Sequence, residues 1–298
     1  MQTRRPSFSL LSRAVSALLG VALISSVSAC AAPRIEGRAE SEQSMSTCER
    51  FLSTAQSHSN IVSNNNIPLL VRYQFADFDQ HDWLNVAMQC PAQLSEATMR
   101  SAQAQHSARM LANYFGFSYT PLTVTQLDAT NSISLPGESL AQLALAEDRA
   151  GFATEVLAGR YASTQISTDT TFVKQLENDG TLLTLSDEHK EVASRMMTLA
   201  QGAQDLRRKV YDTQQLTANP VATTDAANGI RSHTAAILEI NCAREELQAL
   251  GKLPTSDIAK AQKDSSDALL QFVLLIATHA TTAFDLGYPS ADYALFAQ

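Results

Sequence analysis

Three polar residues fall on the apolar faces of predicted helices, where their side chains could do chemistry. Glu147, His189 and His279 each lie within a stripe of apolar residues spaced three and four apart. A carboxylate and two imidazoles are common ligands of transition metals. If the three stripes converge, these residues predict a buried metal or small-ligand site. The alternative is that each side chain is satisfied by hydrogen bonds within or between helices, as most buried polar groups are.

The motifs of the common enzyme classes are missing from the chain. The sequence contains no G-x-S-x-G, no Walker loop, no G-x-G-x-x-G and no H-E-x-x-H. We therefore expect no catalytic residues and no organic cofactor. A non-catalytic role is favoured over an enzyme whose site is assembled from scattered residues.

A second group of acidic residues surrounds the single tryptophan. Asp77, Asp79, His81 and Asp82 flank Trp83 and could be read as a cation site. Acidic residues are also favoured in the first turn of a helix, where they complement the helix dipole. We interpret this group as the solvated, capped start of a helix, with Asp77 and Gln80 at its beginning.

Four long periodic segments must position Glu147 and the two histidines. They cover about 138–162, 186–211, 225–250 and 255–283, and each carries an apolar stripe at helical spacing. None could bury its stripe alone, so the segments predict a helical bundle over 137–298. Glycine is scarce and strand-like alternation is nearly missing, which indicates an all-α fold.

A smaller helical part is predicted before the bundle. Ser46 and Glu49 form a possible capping box for a first helix, and Asn64 to Pro68 ends it. A helix from about Asp77 and a longer one over 94–115 complete an N-terminal helical subdomain over 46–116. The segment 117–136, with two prolines and many Thr, Ser and Asn, is predicted to be the boundary.

The first 29 residues have the parts of a secretory signal. Three arginines precede an uncharged run over 14–27, and Val27-Ser28-Ala29-Cys30 resembles the lipobox of bacterial lipoproteins. That resemblance implies a diacylglyceryl group on Cys30, cleavage before it, and a flexible tether over 30–45. An ordinary signal peptide cut near Ala29, or an uncleaved N-terminal anchor, is the alternative.

Charge limits the partners of the exported part. Removing the first 29 residues takes away three arginines and no acid, which leaves 19 basic and 30 acidic residues and a formal charge of −11. A strongly acidic protein is a poor binder of nucleic acid or of anionic lipid headgroups. We expect no nucleic-acid partner, and attachment to the membrane only through the lipid on Cys30.

Three cysteines remain after Cys30. Outside the cytoplasm thiols tend to pair, and Cys48, Cys90 and Cys242 allow three different single bridges. We favour Cys48 with Cys90, because both lie in the N-terminal helical part. Cys242 is then expected to be a buried free thiol.

The first two bundle segments resemble a known family. The run from Leu143 to Phe152, the motif Ala158-Gly159-Arg160, and His189-Lys190-Glu191 with Arg195 are similar to a ferritin-like domain of unknown function found in bacterial lipoproteins. The resemblance covers about a quarter of the chain and implies a four-helix, ferritin-like bundle. The aromatic and Pro-Gly ending associated with that family is missing, and the segment from Phe284 to Pro289 stands in its place.

A ferritin-like fold raises the question of iron. Di-iron bundles need a Glu-x-x-His on two helices, since this spacing puts both ligands on one inward face. No histidine here has an acidic residue three positions before it. The residues in that position are Ala55, Phe78, Gln103, Ser186, Ile230 and Ile276. The sequence therefore argues against a di-iron oxidase.

The expected function is that of a lipid-anchored lipoprotein facing outside the cytoplasm. The first expectation is a non-catalytic protein that binds another envelope protein or a wall component. The second is a metal- or small-ligand-binding lipoprotein with a degenerate ferritin-like site at Glu147, His189 and His279.

Overall fold

The computed structural model describes residues 45–163 and 179–296, and these residues are mostly helical, with one short pair of strands and several irregular segments. The predicted signal segment, Cys30 and the predicted tether up to residue 44 lie outside the described residues. From Ser46 onward the chain forms one compact unit.

Three antiparallel helices form the N-terminal part. They are α1 (Thr47–Ser63), α2 (Leu69–Gln89) and α3 (Leu94–Phe115), with a short 3₁₀ turn (Pro91–Gln93) between the last two. The capping box at the start of α1 is present: the Ser46 hydroxyl accepts from the backbone N–H of Glu49, whose carboxylate accepts from the N–H of Ser46. The predicted start near Asp77 is wrong, because α2 already begins after Pro68. A proline pre-sets the backbone angle for a helix start without any polar cap.

The bundle contains helices in the regions that the sequence predicts, but several of them begin or end at other residues than expected. They are α4 (Gly137–Ser163), α5 (Thr181–Leu199), α7 (Thr234–Gly251), α8 (Thr255–Asp264) and α9 (Ser266–Asp285). Between α5 and α7 lie a short helix α6 (Gln214–Ala218) and an antiparallel pair, β1 (Ala222–Thr224) and β2 (Arg231–His233). A final turn, α10 (Asp292–Leu295), follows α9.

Three of the four predicted bundle helices differ from the observed ones in where they begin, end or are interrupted. The second segment ends at Leu199 instead of continuing to 211, because Gln201 and Gly202 adopt positive φ angles of 35° and 87°. The third begins only at Thr234, since β1 and β2 occupy its expected first turns. The fourth is divided at Ser265, whose φ of −147° separates α8 from α9.

The N-terminal helices and the bundle share one hydrophobic core. Helix α9 packs against α3 as well as α7, and α3 also contacts α7. Buried residues from both parts belong to one cluster that includes Trp83, Leu94, Leu143, Ile240 and Phe272. Thus the N-terminal part does not stand apart from the bundle, a point that the sequence leaves open.

Helix α9 is long enough and apolar enough to span a membrane, judged by length and composition alone. It is the one such helix in the described ranges 45–163 and 179–296, and 67% of its most apolar window is buried inside the protein. Burial against α3 and α7 accounts for that composition, as expected for the central helix of a bundle.

The segment 117–136, which we call the strap, crosses the bundle between α5 and α9. The backbone N–H of Val124 donates to the Thr278 hydroxyl over 3.1 Å, and the Arg195 guanidinium donates to the carbonyl of Thr130 over 2.5 Å. Leu127 of the strap is buried with 1% of its surface exposed. The strap is therefore fixed to both helices and covers the groove between them.

A disulfide joins Cys48 at the start of α1 to Cys90 at the end of α2, as expected from the sequence. We expect the double variant Cys48→Ser, Cys90→Ser to lose about 3 kcal/mol of unfolding free energy, because opening a loop of this size frees the unfolded chain. Urea denaturation measures this loss. A reducing agent should lower the stability of the wild type and leave that of the double variant unchanged; equal sensitivity in both would contradict the prediction.

Candidate metal centre

Four buried side chains from four helices form a closed ring of hydrogen bonds, which we call the Glu–His quartet: Glu147 of α4, His189 of α5, Glu239 of α7 and His279 of α9. The Glu147 carboxylate accepts from Nδ1 of His189 at 2.5 Å and from Nε2 of His279 at 3.0 Å. The Glu239 carboxylate accepts from Nε2 of His189 at 3.0 Å and from Nδ1 of His279 at 3.3 Å. With both imidazoles protonated, four N–H donors meet four carboxylate oxygens.

The charges of the quartet balance. Burial by itself would lower the pKa of His189, but the charges of Glu239 and Glu147 and the hydrogen bonds to both raise it to about 9. Burial also works against the charged form of His279, and Glu147 in particular raises the pKa of His279 well above its ordinary value. For the two carboxyls, burial is opposed by the two imidazoliums, which lower both pKa values. Two cations and two anions give a net charge of zero.

Close helix packing brings His189 to Glu147. A Cβ on Gly151, one turn after Glu147 on α4, would lie 3.0 Å from the carbonyl oxygen of Ser186 and 3.1 Å from the Cβ of His189. The Ser186 hydroxyl donates to the carbonyl of Gly151 over 2.9 Å and holds the two helices at this distance. Glycine at 151 is therefore needed for the close approach of α4 and α5 beside the quartet.

The two imidazoles lie face to face. The ring centroids of His189 and His279 are 4.7 Å apart with an interplanar angle of 17°. Each ring therefore presents one nitrogen to Glu147 and the other to Glu239. The stacked pair separates the site into a Glu147 face and a Glu239 face.

Two further buried groups of α7 adjoin the quartet, Cys242 and Glu246. The Cys242 thiol is free and 3% exposed, and burial together with the charges of Glu147 and Glu246 raises its pKa. Glu246 is fully buried, and burial followed by the charge of Glu147 raises its pKa well above its ordinary value. Neither oxygen of Glu246 has a hydrogen-bond partner among the described residues. Such an orphaned buried carboxyl is costly and calls for an explanation.

The donor set fits a metal ion. One ligand atom each from Glu147, His189, Cys242 and His279 lies within 4.8 Å of the other three. Tetrahedral zinc with bonds of about 2.0 to 2.3 Å places its ligand atoms roughly 3.3 to 3.6 Å apart. To admit an ion, the atoms of the more distant pairs would therefore have to approach each other, and the Glu147 carboxylate would have to move away from the two imidazole nitrogens that it contacts at 2.5 and 3.0 Å. Nitrogen, oxygen and sulfur donors together are typical of transition-metal sites.

A small cavity reaches the Glu239 face from under the strap. It has a volume of 40 Å³ and is lined by Val124 and Thr125 of the strap and by residues of the three helices beneath: Leu185, Glu188, His189, Val192, Glu239, Thr278, His279 and Thr282. Pockets for organic ligands measure about 300 Å³ or more. This cavity therefore suits a water molecule or an ion on its way to the quartet, and not an organic solute. Glu188, half-buried at its wall, adds a carboxylate to the path.

The structure brings together the three residues singled out in the sequence. Glu147, His189 and His279 meet at one point, and the hydrogen bonds that satisfy them come from one another and from Glu239. Three further residues lie on α7: the sequence did not point to Glu239 and Glu246, and it predicted Cys242 correctly as a buried free thiol but not as part of this site. Their spacing of three and four residues on a helix rich in apolar residues was the available signal, because it places all three on one face.

The acidic group around Trp83 separates into individual contacts. Asp79 accepts from the Ser59 hydroxyl, Asp82 binds Nδ1 of His58, and Asp77 accepts from the Gln80 amide. The group lies in the middle of α2, so the predicted helix start is wrong. Since each carboxylate has its own partner, the group does not converge on a common cation.

Comparison with known proteins leaves the geometry as the main guide to function. No protein-family model matches the chain, no curated protein is significantly similar to it, and no solved structure matches its fold.

Proposed function

We propose that this chain is a lipid-anchored protein facing outside the cytoplasm whose helical bundle binds one transition-metal ion at the Glu–His quartet. The observation that carries the proposal is the convergence of Glu147, His189, Glu239 and His279, all at least 90% buried, next to the orphaned carboxyl of Glu246.

The charge of the quartet allows a metal ion to replace protons. A divalent cation can take the place of one proton on each imidazolium, and the net charge of the quartet then stays at zero. A buried network held only for stability gains little over apolar residues of the same volume. Such a network also does not require a third buried carboxyl, that of Glu246, beside Glu147.

The arrangement supports the interpretation of the bundle as ferritin-like, with a metal site that lacks part of the usual ligand set. Ferritin-like metal sites draw ligands from four facing helices. Here α4, α5, α7 and α9 contribute Glu, His, Glu and His in turn. Because each histidine lacks the accompanying glutamate of Glu-x-x-His, we propose one ion and not the two of a di-iron centre.

The membrane attachment remains a proposal from the sequence. The lipobox at Val27–Cys30 supports a lipid on Cys30. The disulfide between Cys48 and Cys90 supports an oxidising compartment, since such bonds are rare in reducing cytoplasm. We infer that the domain lies outside the cytoplasm at the end of its tether.

Elemental mass spectrometry of the purified protein tests metal binding. We expect close to one equivalent of a transition metal after supplementation, and its loss in both His189→Ala and His279→Ala. Glu245→Gln is the matched control: Glu245 lies on α7 but pairs with Arg149 at the surface, and its removal should leave the metal content unchanged. Circular dichroism checks that each variant is folded. Wild-type protein without metal after supplementation would refute the proposal.

A second proposal rests on a different surface. Large apolar side chains are exposed along α2 and the end of α3: Leu69, Leu70, Val71, Phe78, Met110, Tyr114 and Phe117. Several large exposed apolar side chains on two helices that pack against each other support an interaction site on this part of the protein. It supports non-catalytic binding of another envelope protein, a role that does not depend on the metal centre.

A further inference from the structure

The two faces of the stacked imidazole pair are chemically different. On one face Nε2 of His189 and Nδ1 of His279 have only the Glu239 carboxylate as partner, at 3.0 and 3.3 Å. On the other face Nδ1 of His189 and Nε2 of His279 contact Glu147, at 2.5 and 3.0 Å. A metal ion can bind one nitrogen of each ring and leave the other N–H to a carboxylate. The question is which face takes the ion.

Additional donors lie on the Glu147 face. The Cys242 sulfur lies within 4.8 Å of ligand atoms of Glu147, His189 and His279. Glu246, one turn after Cys242 on α7, is a further buried group beside Glu147: by distance and angle neither of its oxygens has a hydrogen-bond partner among the described residues, and the neighbouring Glu147 carboxylate raises its pKa and favours its protonated form. Both groups would gain an interaction from a cation beside Glu147.

We propose that the ion lies on the Glu147 face and is ligated by Glu147, Nδ1 of His189, Nε2 of His279 and the Cys242 thiolate. This inference rests on the proposed metal-binding function and specifies its ligand. Glu239 is then a positioning residue: it accepts the remaining N–H of both imidazoles and fixes their tautomer and orientation, as carboxylates commonly do behind metal-bound histidines. On binding, each imidazolium and the thiol release one proton to water, and no oxidation state changes.

The thiolate determines which metals the site prefers. Soft sulfur ligands favour zinc-like and copper-like ions, whereas magnesium, calcium and manganese prefer oxygen-rich sites. Imidazole nitrogen, carboxylate oxygen and thiolate sulfur are all donors that zinc binds in tetrahedral sites. The geometry therefore points to a zinc-class ion and away from the iron or manganese of a ferritin-like oxidase.

Cobalt(II) spectroscopy of the purified protein tests this ligand set, because Co²⁺ replaces Zn²⁺ in tetrahedral sites and reports its ligands by absorption. We expect bands in the visible from tetrahedral cobalt, together with a near-ultraviolet charge-transfer band from sulfur to cobalt. Cys242→Ser and Cys242→Ala should both lose the charge-transfer band. Glu239→Gln should keep it but bind cobalt about 10- to 100-fold more weakly, since a positioning partner of the ligands is impaired. Added Zn²⁺ should displace the cobalt.

The possible results separate this inference from the function on which it rests. Bound cobalt without a charge-transfer band in the wild type would overturn thiolate ligation and leave the metal-binding proposal standing. The same holds if either Cys242 variant keeps the band. Failure of the wild type to bind cobalt or zinc at all would overturn both proposals. If one cysteine variant does not fold, the wild-type spectrum and the other variant still decide the outcome.

Discussion

Replacing Glu147 by Gln is expected to lower the unfolding free energy of the metal-free protein by about 3 to 5 kcal/mol. The substitution keeps the size of the side chain but removes the charge that both imidazoliums face. Leaving a buried charge without its partner costs far more than the pair contributes as a whole. Urea denaturation after removal of metal by a chelator measures the change from the midpoint and slope of the transition.

A surface pair provides the matched control. Glu245→Gln removes the same chemical group from α7, at a site where the side chain pairs with Arg149 in solvent. Exposed ion pairs contribute about 0 to 1 kcal/mol, so this variant should resemble the wild type. Equal, small effects of both substitutions would show that the quartet is not ionised in the folded protein.

Replacing Asp79 by Asn is expected to stabilise the protein at pH 8 and to have little effect at pH 4. Burial has the largest effect on the pKa of Asp79 and raises it. The hydrogen bond from Ser59 lowers this pKa, the charge of Asp82 raises it, and the net result is a pKa of about 7. The folded protein therefore holds a proton on Asp79 between about pH 4 and 7 that the unfolded chain releases. The contribution of Asp79 to stability is complete at low pH and is lost as pH rises through 7. The gain in Asp79→Asn should reach about 4 kcal/mol above that pH.

A difference between two stability curves isolates this effect. Burial, and secondarily the charge of Arg109, lowers the pKa of His106 to about 4, which gives the opposite slope in the same pH range. Subtracting the curve of the variant from that of the wild type removes the His106 contribution. Asp77→Asn, an exposed position on the same helix, is the control. A difference that does not change between pH 4 and 8 would rule out a protonated Asp79.

The sequence was sufficient for the helical class because its signals are local. The capping box of Ser46 and Glu49 and the three- and four-residue periodicity of 94–115 correspond directly to α1 and α3. Those signals depend on residues within one or two turns of each other. The break at Pro68 was predicted, but the start of α2 directly after it was not. The boundaries at Gln201 and Ser265 were missed because neither residue type is a strong helix-ending signal by itself.

The sequence was sufficient to predict about half of the residues of the candidate site. Polar residues within apolar stripes marked Glu147, His189 and His279, because burying such groups is costly without a purpose. Whether the stripes converge depends on the relative rotation and depth of four helices, which local sequence does not encode. Glu239 and Glu246 escaped notice because apolar residues alone defined the stripe of their helix, and Cys242 was predicted to be a buried free thiol but not a member of the site. The approach of α4 to α5 at Gly151 is likewise a tertiary property.

The strap has a consequence for the kinetics of exchange. The 40 Å³ cavity beneath Val124 and Thr125 admits a single ion or a few waters, but not a chelator molecule. A chelator in solution would thus capture an ion only after it has left the protein. Seen from this cavity, an ion on the Glu147 face lies beyond the stacked imidazoles, so it could leave by this path only when the strap opens and a histidine ring turns aside. The rate of loss would then be set by these motions of the protein, with Val124 and Thr130 hydrogen-bonded to α9 and α5, and would not rise with chelator concentration. The residence time of the ion would then depend on motions of the strap, and its affinity would depend on the metal ligands.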